Sequence, residues 1–313
     1  MLKEFLLSLF VLATTSGLTF PQVLQQERYT IPTYAEADML SYQRARKPLL
    51  VAVPVRKEDN AEIIIQSKAA LIMDEASGAI LWQKNEAVPL PIASVTKLMT
   101  ALVAKEHITD WEATYAYTAK ENALGGAEVA VGTGDMFTKR DILKTALVAS
   151  ANNAAAALAH STGLTQEDFV REMNKKAQQL GMTSTEYIEP TGLNEGNIST
   201  VKDLALLMRT VGQQTLLMEP LGSTEHKMTR RNENTGNEVV VHTTNRLIKN
   251  HDPYVLAGKT GFTYEAMHCL VTLATDEADN RIIVALLGGP DATVRFEETQ
   301  ALIRWTYENY QWK

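Results

Sequence analysis

Apolar positions recur along this chain with two different periods, and the changes of period mark out its organisation. Two apolar runs, Ala69-Ala70-Leu71-Ile72-Met73 and Ala79-Ile80-Leu81-Trp82, flank a turn-forming stretch from Asp74 to Gly78 and predict a β-hairpin. From Ser94 the period lengthens. Val95, Leu98, Met99, Leu102 and Val103 fall at helical spacing and predict a helix reaching His107 with one buried stripe. Thr138 and Asp141 form a capping-box-like start to a second helix through Ile142, Leu143, Ala146 and Leu147. An alanine-rich helix covers Ala154 to His160. Another opens at Thr165, with Asp168 three residues on, and stops at Gly181. A further helix covers Val201 to Val211, with Ser199 read as its N-cap.

Residues 100–212 are therefore mainly helical, and the last third returns to strands. Val239 to Val241, Val255 to Thr260, Cys269 to Ala274 and Ile282 to Leu287 are the strand candidates, and a closing helix runs from Thr293 to Tyr310. This order predicts an α/β (α+β) fold. Both chain ends build one antiparallel sheet flanked by helices, and the helical block at residues 100–212 is inserted as a lobe. A site is expected at the seam between lobe and sheet.

Ahead of this body, residues 20–61 are proline-spaced and polar with mixed charges, and read as a linker whose apolar patch at Leu49 to Val55 is able to add a strand. Lys3 and the apolar run Phe5 to Ala13 resemble a secretory signal over residues 1–19. That run is shorter than the roughly 20 apolar residues a bilayer span requires, so no stable transmembrane anchor is expected. The folded domain is placed at residues 62–313.

Composition narrows the function classes. A hydrophobic content of 45% and a charged content of 21% are those of an ordinary globular protein. A net charge of −7 argues against a nucleic-acid partner, since phosphate neutralisation needs a basic face. The single cysteine, Cys269, excludes an intrachain disulfide and sits in a run that reads as a buried strand. The chain has no His-Glu-x-x-His, so a zinc peptidase has no support.

Three motifs remain, in order: Ser94-Val95-Thr96-Lys97, Ser150-Ala151-Asn152 and Lys259-Thr260-Gly261. Ser94 stands at a helix start, where free N–H groups favour developing negative charge, and Lys97 lies one turn on along the same face. A serine hydroxyl needs an adjacent base. A lysine can serve if burial or a nearby cation lowers its pKa, and Lys259 is a candidate for that cation. Ser150 falls at a break between helices, where its hydroxyl can relay a proton to a leaving nitrogen. The Asn152 amide can donate to and accept from a substrate amide. Lys259 and the Thr260 hydroxyl can hold a carboxylate, and Gly261 permits close approach. The N–H of Phe262 can join that of Ser94 as an oxyanion hole. Taken singly, Ser150 and Asn152 also fit helix caps, and Lys259 also fits a solvated lysine on an edge strand. A second Ser-x-x-Lys, Ser199 to Lys202, has no such partners. Together the three motifs supply what a serine acyl-transfer enzyme without histidine needs.

With these motifs the chain resembles the low-molecular-mass penicillin-binding proteins, the serine-type D-alanyl-D-alanine carboxypeptidase/endopeptidase family, over roughly residues 65–310. Ile92 to Thr100, Glu189-Pro190-Thr191-Gly192-Leu193 with Asn197 to Ala205, and Gly258 to Thr263 carry the resemblance. It implies attack by Ser94 on the carbonyl between two D-alanines of a peptidoglycan stem peptide, then hydrolysis of the acyl-enzyme by water. Lys97 is the implied base, Ser150 the proton carrier, Lys259 the carboxylate anchor. The resemblance also implies covalent inhibition by β-lactams at Ser94, no cofactor and no metal, and work on the periplasmic or cell-wall side of the cytoplasmic membrane. Departures are Asn153, where many relatives carry Asp, and Met267, where glycine is frequent. The chain shows neither the further β-domain nor the C-terminal amphipathic anchor of many relatives, a shape that resembles the endopeptidase branch. A β-lactamase is disfavoured because Glu189 to Asn194 has one residue more than Glu-x-x-Leu-Asn. A catalytically idle penicillin sensor is disfavoured by the intact Ser94, Lys97, Ser150 and Lys259.

Overall fold

A five-stranded antiparallel sheet carries the core. In the computed structural model, which describes residues 52–57, 62–232 and 237–312, its strands are β1 (Ala69–Asp74), β2 (Ile80–Lys84), β3 (Val255–Thr263), β4 (Met267–Thr275) and β5 (Arg281–Gly289). Their spatial order is β3-β4-β5-β1-β2, so the first hairpin completes a sheet begun by the last three strands. The α+β architecture with both chain ends in one sheet is the one the sequence predicts.

All six residues of β1 are buried, because the sheet is covered on both faces. Alternation sends Leu71, Met73, Ile283, Ala285 and Leu287 into one layer, and Ala70, Ile72, Ile282, Val284 and Leu286 into the other. Each fully buried Leu or Ile here stabilises the fold by about 1.5–3 kcal/mol relative to exposure. The first layer meets the helical lobe: α1 (Lys97–His107), α2 (Lys139–Val148), α3 (Asn152–His160), α4 (Gln166–Gln179), α5 (Val201–Gly212) and α6 (Thr215–Leu221). Of these, α5 lies against β1, β4 and β5. After α7 (Arg246–Lys249) comes β3. The closing helix α8 (Val294–Asn309) seals the second layer with Leu302, Ile303 and Trp305.

The caps follow the sequence at α2 and α4, where Thr138 Oγ1 accepts from the Asp141 N–H and Thr165 Oγ1 from the Asp168 N–H. At α5 the cap is Thr200, which accepts from the Asp203 N–H at 3.0 Å, and not Ser199. Ser199 instead belongs to the strand Ile198–Ser199, paired with Leu90–Pro91, and its hydroxyl bonds to Thr185 Oγ1. That pairing holds Ser199 extended one residue too early to cap. Helix α6 escapes the sequence pattern because Pro220 lies inside it. The strand read at Val239 to Val241 is half of a hairpin, Glu225–Thr229 with Glu238–His242.

The expected signal segment and most of the expected linker lie outside the described residues. The linker's apolar patch does add a strand, since Val55–Arg56 pairs with Tyr310–Gln311. Among the described residues no helix is long and apolar enough to cross a membrane. Cys269 is buried in β4, and burial pushes its thiol up to about 11, which suits packing and not chemistry.

Candidate active site

The chain enters α1 through a single 3₁₀ turn, Ala93–Thr96, so Ser94 stands at the mouth of that helix on the seam between lobe and sheet. Two glycines let other backbones crowd this turn. A Cβ on Gly261 of β3 would lie 2.8 Å from Ile92 O and 3.2 Å from Ser94 N. Gly192 has φ +83°, and a Cβ there would lie 2.0 Å from Ala93 O, a space no side chain can share. Ala93 itself has φ 47° and Ser150 φ 58°, two non-glycine residues in the left-handed region beside the motif serines. Such positions cost about 1–3 kcal/mol each and gather at functional sites.

Lys97 follows on the first turn of α1 and is almost wholly buried. Its Nζ lies 2.7 Å from Ser94 Oγ, 2.8 Å from Asn152 Oδ1 and 2.6 Å from Thr191 O. Burial lowers its pKa from 10.5 to about 7, and the Glu189 carboxylate only partly opposes this. Lys259 stands close enough for the two ammonium groups to repel one another, which disfavours charging both at once. That residue is likewise buried on β3, and burial first, then Lys97 and Arg295, hold it well below the ordinary lysine range.

Lys259 Nζ donates to Ser150 Oγ at 2.6 Å and to Thr260 O at 2.9 Å. Ser150-Ala151-Asn152 thus bridges the two buried amines, the Ser150 hydroxyl on Lys259 and the Asn152 amide oxygen on Lys97. Asn152 Nδ2 donates to Gly125 O at 2.9 Å. The Asn152 amide accordingly holds Lys97 in place as well as leaving one N–H for a ligand, a more internal part than the sequence predicts. Asn153 is wholly buried and ties α3 to Val129 and Asn122, so the Asp-to-Asn departure leaves the site's reacting groups untouched.

Ser94, Lys97, Ser150 and Asn152 from the lobe meet Lys259, Thr260 and Gly261 of β3 at this seam, and Phe262, the next residue of β3, is exposed and stacks on His268. Three contributors escaped sequence reading. Thr191 gives Lys97 its backbone carbonyl and is held by Glu189, which accepts from the Thr191 N–H and hydroxyl at 2.6 Å each. Thr244 places its hydroxyl 2.5 Å from that of Thr260. Arg295 reaches from α8 to donate to Gly261 O at 2.9 Å. Only the Pro-Thr-Gly turn at 190–192 left a trace in the sequence.

A serine approached by a buried, readily neutralised lysine, on an antiparallel sheet with an inserted helical lobe, defines the class of serine D,D-peptidases of penicillin-binding-protein type. Comparison with known proteins makes the family explicit. Residues 55–291 match the D-alanyl-D-alanine carboxypeptidase family, peptidase S11, and the chain belongs to it. It is 34% identical over 264 residues to a D-alanyl-D-alanine endopeptidase of Pseudomonas aeruginosa, covering 83% of this chain and 82% of that one. It is 29% identical to the D-alanyl-D-alanine carboxypeptidase DacF of Bacillus subtilis, covering 80% of this chain and 64% of DacF. Among solved structures, a D-alanyl-D-alanine carboxypeptidase from Mycobacterium tuberculosis superposes with a TM-score of 0.74 at 26% identity, over 81% of this chain and 96% of that one.

Proposed function

We propose that this protein hydrolyses the D-alanyl-D-alanine bond of peptidoglycan stem peptides through an acyl-enzyme on Ser94. The observation that carries this reading is the environment of Lys97 Nζ. A neutral amine has two N–H donors and one lone pair. Asn152 Oδ1 and Thr191 O can only accept, so they take the two N–H groups and leave the lone pair for the Ser94 hydroxyl. With a pKa of about 7, a large share of the enzyme holds this form near neutrality.

In the reaction, Lys97 takes the hydroxyl proton while Ser94 Oγ bonds to the scissile carbonyl carbon. Negative charge develops on the carbonyl oxygen, beside the N–H groups of Ser94 and Phe262. When the C–N bond breaks, the departing nitrogen takes the hydroxyl proton of Ser150, which is hydrogen-bonded to Lys259, and the proton held by Lys97 passes to Ser150, so that Lys97 is again the neutral amine. Lys259 and the Thr260–Thr244 hydroxyl pair hold the terminal carboxylate. Water then attacks the ester; Lys97 takes its proton and returns it to Ser94 Oγ as the acyl–oxygen bond breaks, which restores the free enzyme. A β-lactam carries the same carbonyl and carboxylate and would acylate Ser94 in the same way.

A second reading, cleavage of the D,D-crosslink between stem peptides, is favoured by the match to the Pseudomonas aeruginosa endopeptidase over most of its length. The apolar run Phe5 to Ala13 supports export, with residues 1–19 as signal, 20–61 as linker and 62–313 as catalytic domain, and so supports action outside the cytoplasmic membrane. Mass analysis after incubation with a free pentapeptide and with crosslinked muropeptides tests the assignment. Release of D-alanine from the pentapeptide is the expected result. Conversion of crosslinked dimer to monomer alone would replace the first reading by the second, and loss of neither activity on Ser94→Ala substitution would remove both.

A further inference from the structure

We infer that Glu121 and His160, which lie outside all three motifs, are positioning residues that fasten the loop holding Asn152. The inference rests on the proposed role of Asn152 and extends it. Helix α3 begins at Asn152 and ends at His160, so one rigid nine-residue element carries the active-site amide at one end and an imidazole at the other. The loop that runs alongside begins with the short 3₁₀ turn Glu121–Ala123. At its far end Gly125 O accepts from Asn152 Nδ2 at 2.9 Å, and Ala127 O accepts from the Asn152 N–H at 2.6 Å. Between these ends, Leu124 to Glu128 are exposed and include Gly125 and Gly126, so packing does little to order this stretch. Gly126 has φ +74°, and a Cβ on it would lie 2.7 Å from Asn152 Nδ2, so the loop must keep its backbone close to that amide.

The fastening is at Glu121. Its side chain is fully buried, and a buried carboxylate is tolerated only when its oxygens are satisfied. Oε1 accepts from His160 Nδ1 at 2.7 Å and from Tyr115 OH at 2.5 Å, and Oε2 accepts from the Thr118 N–H at 2.8 Å. Burial alone would raise this carboxyl, but the hydrogen bonds from His160, Tyr115 and Thr118 more than offset it and hold it below its ordinary value. The loop is therefore pinned to both ends of one helix. Loosening the His160 end removes the fixed reference against which Gly125 O and Ala127 O hold Asn152, and through Asn152 Oδ1 the position of Lys97.

A double-mutant cycle on the full chain separates positioning from plain structural support. The rate of acylation by a β-lactam is measured for His160→Ala and His160→Asn, each alone and combined with Asn152→Ala, with the thermal midpoint recorded for every protein. His160→Ala is expected to slow acylation about tenfold in the parent and by less than about twofold in the Asn152→Ala background. His160→Asn, whose amide nitrogen branches from Cγ as Nδ1 does and can donate to Glu121, is expected to keep most of the rate. Equal slowing in both backgrounds, or no slowing by His160→Ala, would overturn the inference. Where His160→Ala fails to fold, Glu121→Gln takes its place in the cycle with the same two outcomes. Labelling that survives Ser94→Ala would overturn the reading of Ser94 instead, leaving the coupling between His160 and Asn152 to be judged by its own result.

Discussion

The three oxygens around Lys97 Nζ are uncharged, and this sets the pH behaviour of the whole site. Catalysis needs the neutral amine, so acylation by a β-lactam should rise with pH around a midpoint of about 7. Stopped-flow or mass-based rates across pH check this, and a Lys97→Met protein should be slower by at least about a hundredfold. The same shift has a stability consequence of fixed sign. Between the folded value of about 7 and the ordinary 10.5, the unfolded chain binds more protons at this position than the folded one, so raising the pH through that window stabilises the fold. Any stability gained by Lys97→Met should therefore be larger on the acid side of this window than on its alkaline side, as urea titrations would report. Thr244 has a separate expectation. Its hydroxyl touches that of Thr260, so Thr244→Val should lower kcat/KM about tenfold on a peptide ending in a free carboxylate and much less on its amide. Equal loss on both peptides would remove Thr244 from the carboxylate site.

The elements around Ser94 are held together by absent side chains as much as by present ones. Gly192→Ala forces a Cβ onto Ala93 O in a backbone region that disfavours it, and should cost on the order of 3 kcal/mol and most of the acylation rate. Gly163→Ala, also at positive φ but with nothing within 4 Å, should cost only about 1 kcal/mol and leave acylation unchanged. Urea unfolding of the two proteins makes the comparison. Much at this level was legible in the sequence. The starts at Thr138 and Thr165, the break at Ser150 to Asn152 and the strand around Lys259 are all local signals, fixed by side chains within a few residues of each other. What stayed hidden depended on distant partners. Ser199 and Thr200 are equivalent cap candidates until Leu90 pairs with Ser199, and Pro220 conceals a helix that tertiary packing of Leu217 and Leu221 sustains.

In the molecule as a whole, the two chain ends close the sheet. Trp312 Nε1 donates to Asp74 Oδ1 at 2.8 Å, and the same carboxylate, through Oδ2, holds the β1–β2 turn at Ser77. Its ring packs on Tyr307 with centroids 5.6 Å apart. Trp312→Ala should thus lower stability by about 2 kcal/mol while kcat/KM stays at the parent value, because the tie lies on the α8 layer and touches none of the reacting groups. A fall in kcat/KM without a fall in stability would contradict this division. The global plan was readable because strands come early and late with helices between. The union of Thr244 and Arg295 with the three motifs was not, since nothing near them in the chain marks which loop or helix end the fold will bring to Ser94, and for Thr191 only the Pro-Thr-Gly turn left a trace.

The account stands on a hydroxyl made nucleophilic by a buried lysine amine. Peptide mapping of the protein after brief exposure to penicillin puts it to the test. A single adduct on Ser94, absent from Ser94→Ala and strongly slowed in Lys97→Met, is the expected result. An adduct on Ser150, or labelling of Ser94 at the parent rate in Lys97→Met, would contradict it.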